Sequence, residues 1–284
     1  MNMGSGRAQA RPPLSGHPVM DVEFAQLSDP GRVRKNNEDY LGCVLPATPA
    51  EARAHGWLFA LADGVGGQEC GEVASRAAVE SVVSGFRGAP RGEPLAGLLT
   101  RLIQAANAHV LETAATAAPG GVNMATTMVA CALRFDRAVV AHAGDSRCYL
   151  IRHGHAKALT RDHTVSNEQL RLGVLSAKEA AEVETRHLLT RSLGTNLFVN
   201  VETGDYQVTP GDVLVLCSDG LHGAVGATEM ASIVAQNDDL NIAVRDLIAV
   251  ANEKDGSDNI SVQAIRVRSV ERVGMYRGRP YRLP

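Results

Sequence analysis

Four aspartates in this sequence stand where an apolar run meets a glycine or a turn. Asp63 follows Trp57-Leu-Phe-Ala-Leu-Ala62 and precedes Gly64, and Asp145 follows Ala138-Val-Val-Ala-His-Ala143 and Gly144. Asp219 follows Val213-Leu-Val-Leu-Cys217 and Ser218, and Asp258 opens Asp258-Asn259-Ile260-Ser261-Val262. Upstream, Arg34-Lys35-Asn36-Asn37-Glu38-Asp39 is a polar block between two expected strands. One aspartate at a strand end is ordinarily a turn former. Several converging on one sheet edge are another matter, because carboxylates ~4 Å apart repel by ~4 kcal/mol at an effective dielectric of ~20. Such a cluster would need cations, and oxygen ligands with few histidines suit Mg²⁺ or Mn²⁺ better than zinc.

Other chemistries find less support. Gly64-Val65-Gly66-Gly67 does not complete a dinucleotide loop, since Glu69 occupies the third glycine position and no Gly-Lys-Ser/Thr follows. Backbone freedom beside Asp63 is the better reading. His153-Gly154-His155 has metal-ligand spacing but reads as an exposed hairpin, and the histidines form no HExxH pair. No GxSxG elbow is present. His222, three residues beyond Asp219, is kept as a residue that could touch a substrate.

The apolar runs before Asp63, Asp145 and Asp219 have the length of buried strands. Val79, Val82, Val83 and Phe86 recur at helical spacing, as do Leu240, Val244, Leu247, Ile248 and Ala251, with Asp238 or Asp239 as N-cap. Ser176 and Glu179 have capping-box spacing and open a short helix within a polar segment, about 161–195. Hairpin-sized gaps across about 123–160 favour antiparallel pairing, so an α+β sandwich is expected over a doubly wound sheet.

The 284 residues, 45% hydrophobic and 21% charged, describe an ordinary globular chain with enough length for its own core. A net charge of −3 argues against a nucleic-acid binder. No apolar stretch approaches the ~20 residues of a membrane helix, and the first twenty residues lack the apolar core of a secretory leader. Of five cysteines without CxxC spacing, Cys131, Cys148 and Cys217 lie in apolar runs, so buried free thiols in a reducing cytoplasm are expected. Residues 1–20 read as a flexible lead and 21–268 as one domain. The basic tail 269–284 is expected either as a solvated end or as a docking segment for an acidic partner.

Six motifs occur in order across about 22–267: Arg34-x-x-Asn37-Glu38-Asp39, Leu61-Ala62-Asp63-Gly64-Val65-Gly66-Gly67, Gly144-Asp145-Ser146-Arg147, Leu189-Thr190-Arg191-Ser192-Leu193-Gly194, Ser218-Asp219-Gly220-Leu221 and Asp258-Asn259-Ile260. Together they resemble the bacterial branch of the PP2C (PPM) family of metal-dependent protein serine/threonine phosphatases. The resemblance implies a four-layer αββα sandwich of two antiparallel sheets flanked by helices, with a binuclear Mn²⁺ or Mg²⁺ site at one sheet edge. By the same resemblance, Asp63 bridges both metals and the Gly64 carbonyl binds one, while Asp219 and Asp258 bind the other. Glu38 and Asp39 hold metal-bound waters, Asn259 supports Asp258, and Arg34 grips the substrate phosphate. Asp145, with Asp219, matches a pair that holds a third, weaker metal. The implied reaction is hydrolysis of phosphoserine and phosphothreonine by a water or hydroxide bridging the two ions. Two metals ~3.5–4 Å apart suit it, and a guanidinium gives the phosphoryl group two parallel bonds that a lysine cannot copy.

Two positions depart from the pattern. Val65 stands where many eukaryotic relatives carry a histidine proposed as leaving-group acid, and Gly223 where an aspartate often assists the third metal. The segment 161–195 aligns with the family's variable flap, whose Arg161, Arg171 and Arg186 are expected to help select phosphopeptides. Implied partners are phosphoproteins, namely a Hanks-type kinase, its substrates and FHA-domain proteins, met by a cytoplasmic monomer. The alternative is a non-catalytic phosphatase-like binding or sensor module. It predicts loss of an acid at 63, 219 or 258, and all three are present. Another two-metal hydrolase, such as a nuclease, would want a basic groove.

Overall fold

The computed structural model of the chain describes residues 19–65, 70–276 and 279–282. In chain order the elements are β1 (Asp21–Asp29), β2 (Asp39–Val44), α1 (Pro49–Ala54), β3 (Trp57–Asp63), α2 (Gly71–Arg87), α3 (Leu95–Thr116), β4 (Met128–Arg134), β5 (Arg137–Ala143), β6 (Arg147–Arg152) and β7 (His155–Ala158). They continue with α4 (Val165–Arg171), α5 (Ala177–Glu182), a 3₁₀ turn (Glu184–His187), β8 (Glu202–Gln207), β9 (Val213–Cys217), α6 (Asp219–Ala224), α7 (Ala227–Gln236), α8 (Leu240–Lys254), β10 (Ile260–Ser269), β11 (Val273–Tyr276) and β12 (Arg279–Arg282).

Two five-stranded sheets, ordered β1-β10-β9-β6-β7 and β2-β3-β4-β5-β8, pair antiparallel throughout. Successive strand residues point to opposite faces, and both faces of the central strands are covered. Trp57, Phe59 and Leu61 of β3 enter the core between the sheets, while Leu58, Ala60 and Ala62 pack under α2 and α3. In β9, Leu214 and Leu216 face the other sheet, and Val213, Val215 and Cys217 face α7 and α8. Two-faced burial is why these strands read as unbroken apolar runs. The result is the expected four-layer αββα sandwich.

Both helices read from periodicity are present, as α2 and α8, and Asp239 caps the latter by accepting from the Asn241 N–H at 2.8 Å. The capping box of Ser176 and Glu179 opens α5. Cys131, Cys148 and Cys217 are buried free thiols. His153 and Gly154, both at positive φ, form the exposed turn between β6 and β7.

The expected boundaries need adjustment at both ends. Residues 1–18 lie outside the described residues, but Val19 and Met20 are buried, and the Trp57 indole donates to the Met20 carbonyl. In the expected basic tail, β11 and β12 pair as a hairpin, and buried Glu271 accepts from Arg53 at 2.7 Å. The chain also changes sheets between β5 and β6 instead of continuing as a meander. Gly144 (φ 111°) makes that crossing, which leaves Asp145 at the edge the two sheets share.

Candidate active site

All the strand-end acids reach one end of the sandwich. Asp39 and Asp63 are register partners on β2 and β3, Asp219 is the first residue of α6 beyond β9, and Asp258 precedes β10. A cleft of about 820 Å³ is lined there by Arg34, Glu38, Asp63, Gly64, Asp145, Asp219 and Asp258. Asp63 feels the charges of Asp39, Asp219, Asp145 and Asp258. The convergence that spacing alone left open is therefore present.

Each acid has its own support. The Asp63 N–H donates to Thr127 Oγ1 at 3.0 Å, and its carbonyl accepts from Thr126 Oγ1 at 2.8 Å and the Thr127 N–H at 2.8 Å. Ser146 Oγ lies 2.7 Å from Thr127 Oγ1 and extends the support to the Asp145 turn. Ser218 Oγ donates to Asp39 Oδ2 at 2.8 Å and accepts from the Ser261 N–H at 2.9 Å. Gly64 has no room for a side chain, since a Cβ would lie 2.5 Å from the backbone of Gly71. That contact sets the start of α2 against the Asp63-Gly64 turn. Gly66 and Gly67 lie outside the described residues.

Asn259 supports Asp258 through its backbone, its N–H donating to Asp258 Oδ1 at 2.9 Å. Its side chain does something the sequence did not reveal. Oδ1 accepts from the Glu38 N–H at 2.8 Å, and Nδ2 donates to the carbonyls of Pro30 and Asn36, both at 2.9 Å. One amide thus holds the Arg34–Glu38 segment against the Asp258 turn, where Arg34 Nη2 donates to Asp258 Oδ2 at 2.8 Å.

Burial and mutual repulsion work in the same direction on these carboxyls. Burial is the chief cause in each case, with neighbouring aspartates adding to it: Asp39 is pushed up to about 7, Asp145 to about 8 and Asp63 well above the usual range. Asp219 and Glu38 are raised as well. Among the described residues, Asp39 Oδ1 is buried without a hydrogen-bond partner, an arrangement that is unfavourable unless something else satisfies it. An all-oxygen donor set, concentrated negative charge and an orphaned carboxylate oxygen fit hard divalent cations.

Around this centre stand neighbours of different kinds. Arg147 and Asp162 form a bidentate pair at 2.7 and 2.6 Å; burial raises the Asp162 carboxyl, but the Arg147 bonds outweigh it and leave the carboxyl lowered. His222 Nε2 lies 3.0 Å from the Asp145 carbonyl, and burial lowers this imidazole to about 4, so it is a neutral prop for the Asp145 turn. Val65 and Gly223 both line the cleft, and nothing lies within 4 Å of where a Gly223 Cβ would be. His142, His163 and Glu202 have metal-ligand spacing beneath the flap. There, however, Arg191 lies 3.0 Å from His163 Nε2 and Arg161 donates to Glu202 at 3.1 Å, so cations already face those ligand atoms.

Thr126, Thr127, Ser146, Ser218 and Ser261 were missed by the sequence reading. Their only signal was a hydroxyl residue at a strand terminus, which is too common to single out. Thr127→Val is expected to leave the Asp63 N–H unsatisfied and destabilise the protein by about 1–3 kcal/mol. Chemical denaturation would show this, and a titration with Mn²⁺ should show weakened binding.

Comparison with known proteins points to one family. The family model for protein phosphatase 2C matches residues 33–261. The serine/threonine phosphatase stp of Listeria welshimeri is 33% identical over 263 residues, covering 92% of this chain and 99% of its own length. The S. agalactiae serine/threonine phosphatase structure has a TM-score of 0.79 at 31% identity, covering 87% of this chain and all of that one. The catalytic domain of the serine/threonine phosphatase PstP, solved with two manganese ions, has a TM-score of 0.73 at 29% identity, over 88% of this chain and all of that one. With the acids gathered at one edge of an αββα sandwich and a family match spanning most of the sequence, the chain belongs to the protein phosphatase 2C family.

Proposed function

We propose that the protein hydrolyses phosphoserine and phosphothreonine in phosphoproteins, using two Mn²⁺ or Mg²⁺ ions held at the acidic end of the sandwich. The observation that carries this reading is the meeting of Asp63, Asp219 and Asp258 in one cleft with Arg34 beside them. Asp63, the Gly64 carbonyl, Asp219 and Asp258 would hold the ions, all four residues lining the one cleft. Glu38 and Asp39 orient ordered water. Asp145, with Asp219, offers a weaker third position, since Gly223 supplies no carboxylate. The ions, when bound, supply Lewis-acid polarisation of the phosphoryl oxygens and acidify water.

The chain's own residues do the rest. Arg34 turns from Asp258 to the phosphate, where its fork matches two oxygens. Thr126, Thr127 and Ser218 keep Asp63 and Asp39 from yielding as charge develops. Val65 has no proton to give, so the departing alkoxide takes one from water.

Arg34→Ala is expected to raise KM about tenfold or more, the worth of a charge-assisted pair, without loss of Mn²⁺ affinity. Steady-state kinetics beside a metal titration would show it, and an emptied metal site would refute the phosphate role.

By the same reading the protein opposes a Hanks-type kinase, acts on that kinase, its substrates and FHA-domain proteins, and works as a monomer in the cytoplasm. Among the described residues no helix is long and apolar enough to cross a membrane. The test is phosphate release from a phosphothreonine peptide with Mn²⁺, with Mg²⁺ and with EDTA. Metal-dependent release supports the proposal. A folded protein inactive with either ion would be a phosphatase-like binding module instead.

A further inference from the structure

The cleft continues past the acidic end onto the segment between β7 and β8, which carries α4 and α5. Its His187 Nδ1 comes within 4.0 Å of Asp219 Oδ2, so a substrate at the acids must pass this wall. The sequence suggested that arginines would do the recognising there. In the structure, Arg161 is paired with Glu202 at 3.1 Å and Arg171 with Glu168 at 3.0 Å. The Arg186 side chain lies outside the described residues. This segment lines the cleft with Leu170, Ala177, Ala180 and Leu189, beside hydroxyl and amide groups, the His187 imidazole and the Asp162 carboxylate that Arg147 pairs. Among the described residues from Thr164 to Leu189, no lysine, arginine or carboxylate lines it.

The same segment is unusually apolar for a surface. Leu172 and Val174 are 67% and 65% exposed, and Leu188 is 58% exposed. In the chain they neighbour Leu170 and Leu189, which do line the cleft, and exposed hydrocarbon at a cleft is the chemistry of a recognition surface. The base of the segment is held firmly. Thr190 N–H donates to the His163 carbonyl at 2.8 Å, Val165 N–H to the Leu188 carbonyl at 2.9 Å, and His163 Nε2 lies 3.3 Å from Glu202. The wall is therefore placed by its anchors, with its apolar side chains left to a visitor. The about 820 Å³ of the cleft also exceeds what a phosphorylated hydroxyl side chain alone would fill.

We infer that this wall is an apolar subsite, which selects phosphopeptides carrying an uncharged hydrocarbon side chain next to the phosphorylated residue. The inference rests on the phosphatase reading above and specifies its substrate class. The occupant is the substrate polypeptide itself, because the apolar wall and the acidic centre line one continuous cleft. The paired state of Arg161 and Arg171 leaves them poorly suited to read acidic flanks. A leucine-sized side chain entering such a wall is worth roughly tenfold or more in kcat/KM over a polar one of similar length.

Two phosphothreonine peptides, identical except for leucine or glutamine on both sides of the phosphothreonine, test this at equal charge. They are assayed with Mn²⁺ on the full chain and on its Leu170→Gln and Ala177→Gln variants, both altered at exposed positions. The expected result is about tenfold higher kcat/KM for the leucine peptide. The variants should lose most of that preference, read as the ratio of kcat/KM between the two peptides. Equal kcat/KM for the two peptides, or variants that slow both alike, would overturn the subsite and leave the phosphatase reading standing. No turnover of either peptide by the parent chain would instead overturn the phosphatase reading and the subsite with it.

Discussion

Asp219→Ala is expected to lower kcat on a phosphothreonine peptide by at least about 10³-fold, equivalent to ~4 kcal/mol of lost transition-state stabilisation. The size of the effect follows from position. Asp219 is partly buried, lies within the field of Asp63 and Asp258, and starts α6 at the point where β9 delivers it to the cleft. On the two-ion reading, removing its carboxylate takes away an oxygen that would hold metal. The fold should survive, because the supports of the turn do not depend on this side chain: Ser218 Oγ still bonds Asp39, and Leu221 stays in the core. Parallel measurement of kcat and of thermal unfolding separates the two effects. A variant that keeps a tenth of the parental turnover would remove Asp219 from the chemistry.

Stripping the metal should make the protein sensitive to alkali. Burial, with neighbouring acids adding to it, raises Asp39 to about 7 and Asp145 to about 8, and Asp63 well above the usual carboxylate range. In the unfolded chain these groups titrate near 3.9. From there upward the unfolded state has released protons that the folded state still holds, so stability falls as pH rises, until the folded values are passed. The buried imidazoles act in the opposite sense: burial holds His163 and His222 at about 4, and their effect is largely complete by neutrality. The window that isolates the carboxyls is therefore pH 7 to 8. With EDTA, Tm should drop across it, and Asp145→Asn should drop less. Saturating Mn²⁺ should raise Tm more at pH 8 than at pH 7, contributing about 2.7 kcal/mol at a hundredfold excess over Kd. A metal-free Tm that climbs through the window, with no response to Mn²⁺, would contradict the electrostatic account.

What could be read in advance was whatever a strand writes locally. Trp57–Ala62 and Val213–Cys217 are apolar at every position because each strand is covered on both faces. Each run stops where an acid must emerge into the cleft, so Asp63 and Asp219 were legible as strand-end acids from their surroundings. Convergence was not. It depends on β5 passing into β6 of the other sheet at Gly144, and no local pattern distinguishes that crossing from a hairpin.

The hydroxyls were hidden for a related reason. Thr127 and Asp63 are sixty-four positions apart, and Ser218 and Asp39 one hundred and seventy-nine, so only sheet register brings them together. The flap misled in the other direction. Its arginines looked available as a set of charges, but Glu202 on β8 and Glu168 on α4 pair with two of them. A charge run shows the charges and not their partners. Likewise Asn259 sits beside Asp258 in sequence, yet its side chain serves the segment that carries Arg34 and Glu38.

The central claim is that these acids form a centre for two divalent ions. Equilibrium dialysis of the metal-free chain against Mn²⁺, with bound metal counted per chain, tests it most directly when Asp63→Asn and Asp258→Ala are run alongside. Two tightly held ions are expected in the parent, with both variants losing stoichiometry or affinity while remaining folded. A parent that binds no Mn²⁺, or variants that bind as the parent does, would contradict it.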